Sequence, residues 1–198
     1  MNDQVMPKYR IGEDDFSIQY ISHFEPGSMP RPHEHTCFEL YYLLDGEREH
    51  FMNGNVYTVK KGDMMIINPH NPHFTASSDN LQFERIVVHF SKSFIEKGDP
   101  TPANLLLNGP SRLIRIPPKD QPEIEQPLLR MLSECEGQLP YYTALVRSLM
   151  HELLIRLHRI EQSSLGQESQ DNDHPMHSKV SEIALYISSN YNPEARNA

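Results

Sequence analysis

The chain has 198 residues, with 18 Lys and Arg against 27 Asp and Glu for a formal charge of −9, and 11 of its residues are histidine. Neither half of the chain is basic, which argues against a surface that holds nucleic acid or anionic lipid nonspecifically. Two cysteines, Cys37 and Cys135, do not make a disulfide framework. No run approaches the roughly 18 apolar residues of a membrane span. The first residues lack the apolar core of a signal peptide, so a cytoplasmic protein without membrane partners is expected.

Residues 1–15 are polar and irregular and read as an arm. The segments 16–24, 38–44, 47–52, 55–60, 63–67, 73–75 and 83–90 predict short strands. Between them lie Pro26-Gly27, Asp45-Gly46, Asn53-Gly54, Lys61-Gly62 and the turn 68–72. Short strands at close spacing with Gly and Pro punctuation indicate an antiparallel sandwich or barrel, and Asn53-Gly54 is a type I′ hairpin signal. Residues 98–120 read as a connector with an edge strand at 112–116.

Past the connector the period changes. Segment 123–135 is helical in character, and 141–160 more so, with Leu145, Leu149, Leu153 and Leu157 on one stripe. That stripe serves either packing against the chain's own barrel or a dimer seam. Residues 162–178 carry Leu165 and Met176 as their only aliphatic side chains and read as a polar linker. Segment 179–191 is amphipathic again, with Val180, Ile183, Ala184 and Ile187 on one face. A further domain is therefore expected to begin at 179, and to be incomplete at Ala198.

The chemistry concentrates in segment 27–46. In an extended strand His33, His35, Glu39, Tyr41 and Leu43 share one face, and Phe38, Leu40, Tyr42 and Leu44 the other. Two imidazoles and a carboxylate on one side suit a divalent transition metal, namely Zn, Fe, Ni or Mn. A fourth ligand is then wanted from a neighbouring strand, and His73 is the natural candidate. A lone His-x-His means little, but the framing glycines raise its weight.

With those glycines the segment resembles the first motif of the cupin superfamily. Gly27, His33, His35, Glu39 and Gly46 match it at every position. Gly62, Pro69 and His73 resemble the second motif with shifted spacing, and Ser77 stands where Asn is usual. The resemblance implies a mainly β fold, a jelly-roll-like double-stranded barrel over 16–118 followed by two or more helices. It also implies a metal held by His33, His35, Glu39 and His73. By parity Tyr41, Leu43, Thr75, Arg85 and Val87 would line a pocket, while His89 either lines it too or is a hydrogen-bonded core histidine. Cys37 has the opposite parity and reads as a small buried residue. His23, His50, His151, His158, His174 and His177 receive no role.

A barrel, two helices, a polar linker and then Val180–Tyr191 resemble the layout of AraC-type transcription regulators. That resemblance implies a sensor of a small polar effector, a helical dimerisation region at 119–161 and a homodimer. It also implies DNA binding only through a C-terminal domain, whose first helix would start at 179. The competing expectation is a metal-dependent cupin enzyme, a dioxygenase or isomerase acting on a small oxygenated substrate.

Overall fold

The structure, a computed structural model, describes residues 4–13, 15–23, 32–77, 82–97, 104 and 107–164. Gly27, the predicted linker from 165 onward and segment 179–198 lie outside the described residues. In chain order the strands are β1 (Gln4–Val5), β2 (Tyr9–Ile11), β3 (Phe16–His23), β4 (Phe38–Met52), β5 (Asn55–Lys60), β6 (Met64–Ile67), β7 (His73–Ser77), β8 (Phe83–Phe90) and β9 (Arg112–Ile114). The helices described along their whole length are α1 (Lys92–Glu96), α2 (Gln121–Gly137) and α3 (Tyr142–Ser164).

The expected turn at Asp45-Gly46 is a correction. Segments 38–44 and 47–52 form the single strand β4. Its first half pairs with β6 and β8, and its second half with β5 and β7, all antiparallel. Between Leu43 and Asp45 the register against β8 slips by one residue, a bulge that lets β4 bend from one group of strands to the other. Gly46 sits beside the bulge at φ +91°, where an added Cβ would lie 2.4 Å from the Gln82 carbonyl oxygen. By contrast, Asn53 and Gly54 form a hairpin tip between β4 and β5, with φ of 53° and 76°. Both values are positive, as a type I′ turn requires.

The arm is also more ordered than its sequence suggests. Residues of β1 and β2 pair antiparallel with β3, which in turn pairs with β8 along its whole length. The short helix α1 was not anticipated. It starts at Ser91, whose Oγ accepts from the Phe94 amide at 3.1 Å.

The bulge and the alternation of strand residues divide the apolar side chains into two clusters. One face of the β3–β8–β4–β6 layer presents Ile18, Val88, Leu40, Tyr42, Met64 and Ile66 to α1, α2 and α3. The opposite face lines the barrel interior with Tyr41, Leu43, Met65, Ile67, Phe83 and Val87. Strand β6 is buried on both faces, which explains its uninterrupted Met-Met-Ile-Ile sequence.

Helices α2 and α3 close the first cluster. Leu149, Leu153 and Leu157 are buried in it, together with Val146, Met150, Leu154 and Ile160. Of the four residues of the expected dimer stripe, Leu145 is the exposed one. Polar contacts fasten this layer to the barrel. The Tyr42 hydroxyl donates to Glu125 Oε1 at 2.9 Å, and the Arg112 guanidinium pairs with the Glu161 carboxylate; within the helical layer a His151 ring nitrogen of α3 lies 3.0 Å from the Ile95 carbonyl oxygen of α1.

Two outcomes follow. Gly46→Ala loses roughly 1–3 kcal/mol to backbone strain alone, with a further cost from the approach to the Gln82 carbonyl, read as a lower midpoint in urea unfolding. Leu153→Ala loses about 2–5 kcal/mol, the range for truncating a buried leucine. The loss is the same at micromolar and at hundredfold higher protein concentration, because Leu153 packs inside its own chain.

Candidate metal centre and ligand pocket

The site is built around Glu39, which is buried at the start of β4. Directly across the sheet stands His89 of β8, in register with Glu39, and its Nε2 lies 3.0 Å from Glu39 Oε2. His35 approaches from the preceding segment, with Nε2 also 3.0 Å from Glu39 Oε2. The donor atoms of His35, Glu39 and His89 all lie within 4.8 Å of one another. His73 Nε2 is 3.8 Å from the same carboxylate oxygen and, though buried, has no hydrogen-bond partner among the described residues.

His33 stands behind this group. Its ring centroid is 4.3 Å from that of His73, and the two residues exchange both backbone hydrogen bonds at 3.0 Å. The regular strand expected through 33–39 is not formed. Strand β4 starts at Phe38, with bends at Thr36 and Cys37. The His33–His73 bridge and the His70 amide, which donates to the His35 carbonyl at 2.8 Å, bring the two histidines to Glu39 instead. Cys37 is half-buried rather than buried, and its carbonyl oxygen lies 2.8 Å from His35 Nδ1.

The sequence placed His33 and His73 in the ligand set and His89 in the pocket. In the structure, the three residues whose donor atoms converge are His35, Glu39 and His89. Cross-strand register brings His89 to Glu39, and register between β4 and β8 is not readable from either strand alone.

The donor chemistry fits a metal. His35 Nδ1 faces the Cys37 carbonyl and His73 Nδ1 the Asn71 carbonyl, each at 2.8 Å. An N–H donated there leaves the Nε2 lone pair free toward Glu39, the arrangement that orients a ligating imidazole. A 3.0 Å spacing suits two donors sharing one ion as well as a proton held between them. Without an ion, protons must do that work. Burial opposes a charge on His35, but hydrogen bonds to Cys37 and Glu39 push its pKa up to about 10. Burial likewise opposes a charge on Glu39, yet the imidazoles of His35, His73 and His89 gathered around it hold the carboxyl well below the usual range.

The remaining pocket residues line the interior. Tyr41, Leu43, Thr75 and Val87 are buried, and Arg85 is half-buried. The Arg85 guanidinium lies 5.2 Å from the Tyr41 ring centroid and 5.5 Å from that of Phe83. Two interior residues, Arg48 and His50, were given no role by the sequence. Both are 1% exposed. The His50 ring meets that of Tyr41 edge-on at 4.3 Å, and the Arg48 guanidinium lies 4.2 Å from the Phe83 centroid. The bulge brings them there, because after it the even-numbered residues of β4 face inward. A glycine next to an expected turn was the available signal.

The family model of the AraC-like ligand binding domain matches residues 18–154. The chain belongs to that family. The AraC-like domain is 28% identical over 69 residues to the HTH-type transcriptional activator RhaS of Yersinia pestis (strain Pestoides F), covering 35% of this chain and 25% of that protein. It therefore matches about a quarter of the length of this relative. Among solved structures it is similar to a cupin superfamily protein from Desulfitobacterium hafniense DCB-2, with a TM-score of 0.39 and 19% identity over 44% of this chain and 78% of the other. It is also similar to the cupin domain of Schizosaccharomyces pombe Cnp3, with a TM-score of 0.41 and 15% identity over 49% of this chain and 73% of the other. The fold is mainly β, an antiparallel strand assembly followed by helices.

His50 gives the interior a pH signature. Burial, the largest cause, pulls its pKa down from 6.5 to about 3; Glu39 opposes the shift, while Arg85, His73 and Arg48 reinforce it. The unfolded chain thus binds this proton at higher pH than the folded one. The contribution is fully present above about pH 6.5 and is lost as pH falls toward 3. His50→Gln removes it, so the stability of the variant declines less steeply below pH 6.5, by at most about 1.4 kcal/mol per pH unit. Urea unfolding of both proteins from pH 7 to pH 4 measures the difference.

Proposed function

We propose that this AraC-like domain is the sensor and dimerisation region of an AraC-type transcription regulator, binding a small polar effector in a metal-containing cupin barrel. The observation that carries this reading is the convergence of His35, Glu39 and His89 inside a chain of the AraC-like ligand binding family. The relative in Yersinia pestis, an HTH-type transcriptional activator, supports a regulatory role. In this reading the protein acts by binding rather than by catalysis.

His35, Glu39 and His89 hold a divalent ion (Zn, Fe, Ni or Mn), with the buried Nε2 of His73 as the fourth donor and His33 supporting it from the His73 side. The ion, when bound, supplies a Lewis-acidic anchor for an oxygen or nitrogen of the effector. The side chains of His35 and His89 are 17% and 22% exposed, so a solute reaches this centre from outside. Tyr41, Leu43, Thr75, Arg85 and Val87 then shape what fits behind it.

The helical region 119–161 mediates homodimerisation. Leu145 is exposed there, as are Leu139 and Tyr141 at the turn between α2 and α3. DNA binding belongs to a C-terminal domain that starts near residue 179. The effector shifts the dimer between two arrangements only to the extent that it binds one more tightly than the other. No helix among the described residues is long and apolar enough to cross a membrane, and a cytoplasmic location accords with the regulatory reading.

The metal content of protein purified without added metal tests the site. The wild type retains close to one equivalent by elemental analysis, and His35→Ala/His89→Ala loses it, whereas His33→Ala loses at most part. Equal metal content in wild type and double variant removes the metal from this reading.

A further inference from the structure

The barrel interior beyond the imidazole cluster holds several buried polar groups without hydrogen-bond partners. Tyr41 and His50 are both 1% exposed, and neither the Tyr41 hydroxyl nor either His50 ring nitrogen has a hydrogen-bond partner among the described residues. Arg85 Nε is buried and equally unpartnered, and no carboxylate among the described residues lies within ion-pair distance of this guanidinium. Arg85 lies against Tyr41 and Phe83, with its guanidinium carbon 5.2 and 5.5 Å from their ring centroids. Its buried Nε–H remains for an acceptor that a ligand would bring. A second guanidinium, that of Arg48, approaches the same Phe83 ring and raises the local positive potential.

Among the described residues the nearest interior carboxylate is Glu39, and three imidazoles already surround it, so Arg85 is left without an anionic partner. The Tyr41 hydroxyl and the neutral His50 imidazole each bring a donor and an acceptor, whereas the guanidinium only donates. A neutral polyol hydrogen-bonds to such groups but leaves the guanidinium charge uncompensated. A carboxylate pairs with the guanidinium and compensates its charge.

We propose that the ligand of this barrel is a small carboxylate, held by the in-plane fork of Arg85 with the Tyr41 hydroxyl and a His50 N–H as neutral donors. The inference rests on reading the barrel as an effector pocket, and it adds the chemical class of the effector. Arg85 is half-buried, so an anion reaches it from solvent, while Tyr41 and His50 close the inner end of the site.

The test is isothermal titration calorimetry of the 198-residue chain with acetate, succinate and benzoate, at matched ionic strength. Sulfate serves as an inorganic oxyanion and glucose as a neutral polyol. At least one carboxylate binds saturably, with Kd below ~1 mM, and Arg85→Gln weakens it at least about tenfold. Arg85→Lys, which keeps the charge and loses the fork, falls between the two. The ligand-free Arg85→Gln protein melts at or above the wild-type temperature, because it no longer holds an uncompensated cation. An arginine with only a structural role would give a lower melting temperature. Binding of sulfate alone, of no probe, or of a carboxylate equally well to Arg85→Gln overturns the proposal. Saturable glucose binding without carboxylate binding overturns the carboxylate assignment and leaves the effector-pocket reading standing.

Discussion

Strand β4 belongs to both halves of the barrel, and its bulge decides which side chains meet inside. Up to Leu43 the inward residues are odd-numbered, as Glu39, Tyr41 and Leu43 show. After the extra residue they are even-numbered, as Arg48, His50 and Met52 show, each at most 2% exposed. Without the slip, Glu47, Glu49 and Phe51 would turn inward and place two carboxylates where a guanidinium and an imidazole now stand. Gly46 makes the slip possible, because the neighbouring Gln82 carbonyl leaves no room for a Cβ.

A polar interior of this kind costs stability. A buried carboxylate or guanidinium loses its hydration and recovers it only through well-placed partners. Glu39 has such partners in its imidazoles, and Asp63, outside the cluster, has the Lys60 amide and Arg115. Tyr41 and His50 do not. The compensation lies on the other face of the same strands, where Leu40, Tyr42, Ile86, Val88 and the three helices form an apolar core with the Tyr42–Glu125 and Arg112–Glu161 contacts at its edges. One face of the layer holds the fold together, and the other is free to carry chemistry.

This division also explains what the sequence reveals. Helices α2 and α3, the hairpin at Asn53-Gly54 and the shared face of Glu39, Tyr41 and Leu43 follow from local periodicity and turn chemistry, and all are found in the structure. The motif spacing brought Glu39, His35 and His73 to attention, and the two imidazoles do gather at the carboxylate. Two features were out of reach. The place of His89 beside Glu39 depends on register between strands, which pairs residues 50 positions apart in sequence. The place of Arg48 and His50 depends on a bulge, which inverts parity while leaving no periodic trace beyond one glycine. The arm lacks a periodic pattern of its own and takes its order from pairing with β3.

Adjacent residues of the same strands serve the two faces, which ties the site mechanically to the helices. Tyr41 contacts His50 within the barrel, while Tyr42 bonds to Glu125 on α2. His89 reaches Glu39, while Val88 and Phe90 lie beneath the helical layer. Close-packed interiors transmit small displacements rather than absorbing them, so a shift of β4 or β8 at the site is also a shift of the surface on which α2 and α3 rest. Turning such a shift into a signal requires two arrangements of the helices close in free energy. A ligand that favours one of them a hundredfold moves the balance by about 2.7 kcal/mol. That is comparable to one charge-assisted hydrogen bond gained or lost in the interior. The unpartnered donors around Arg85 are groups of that kind, held in place before anything binds.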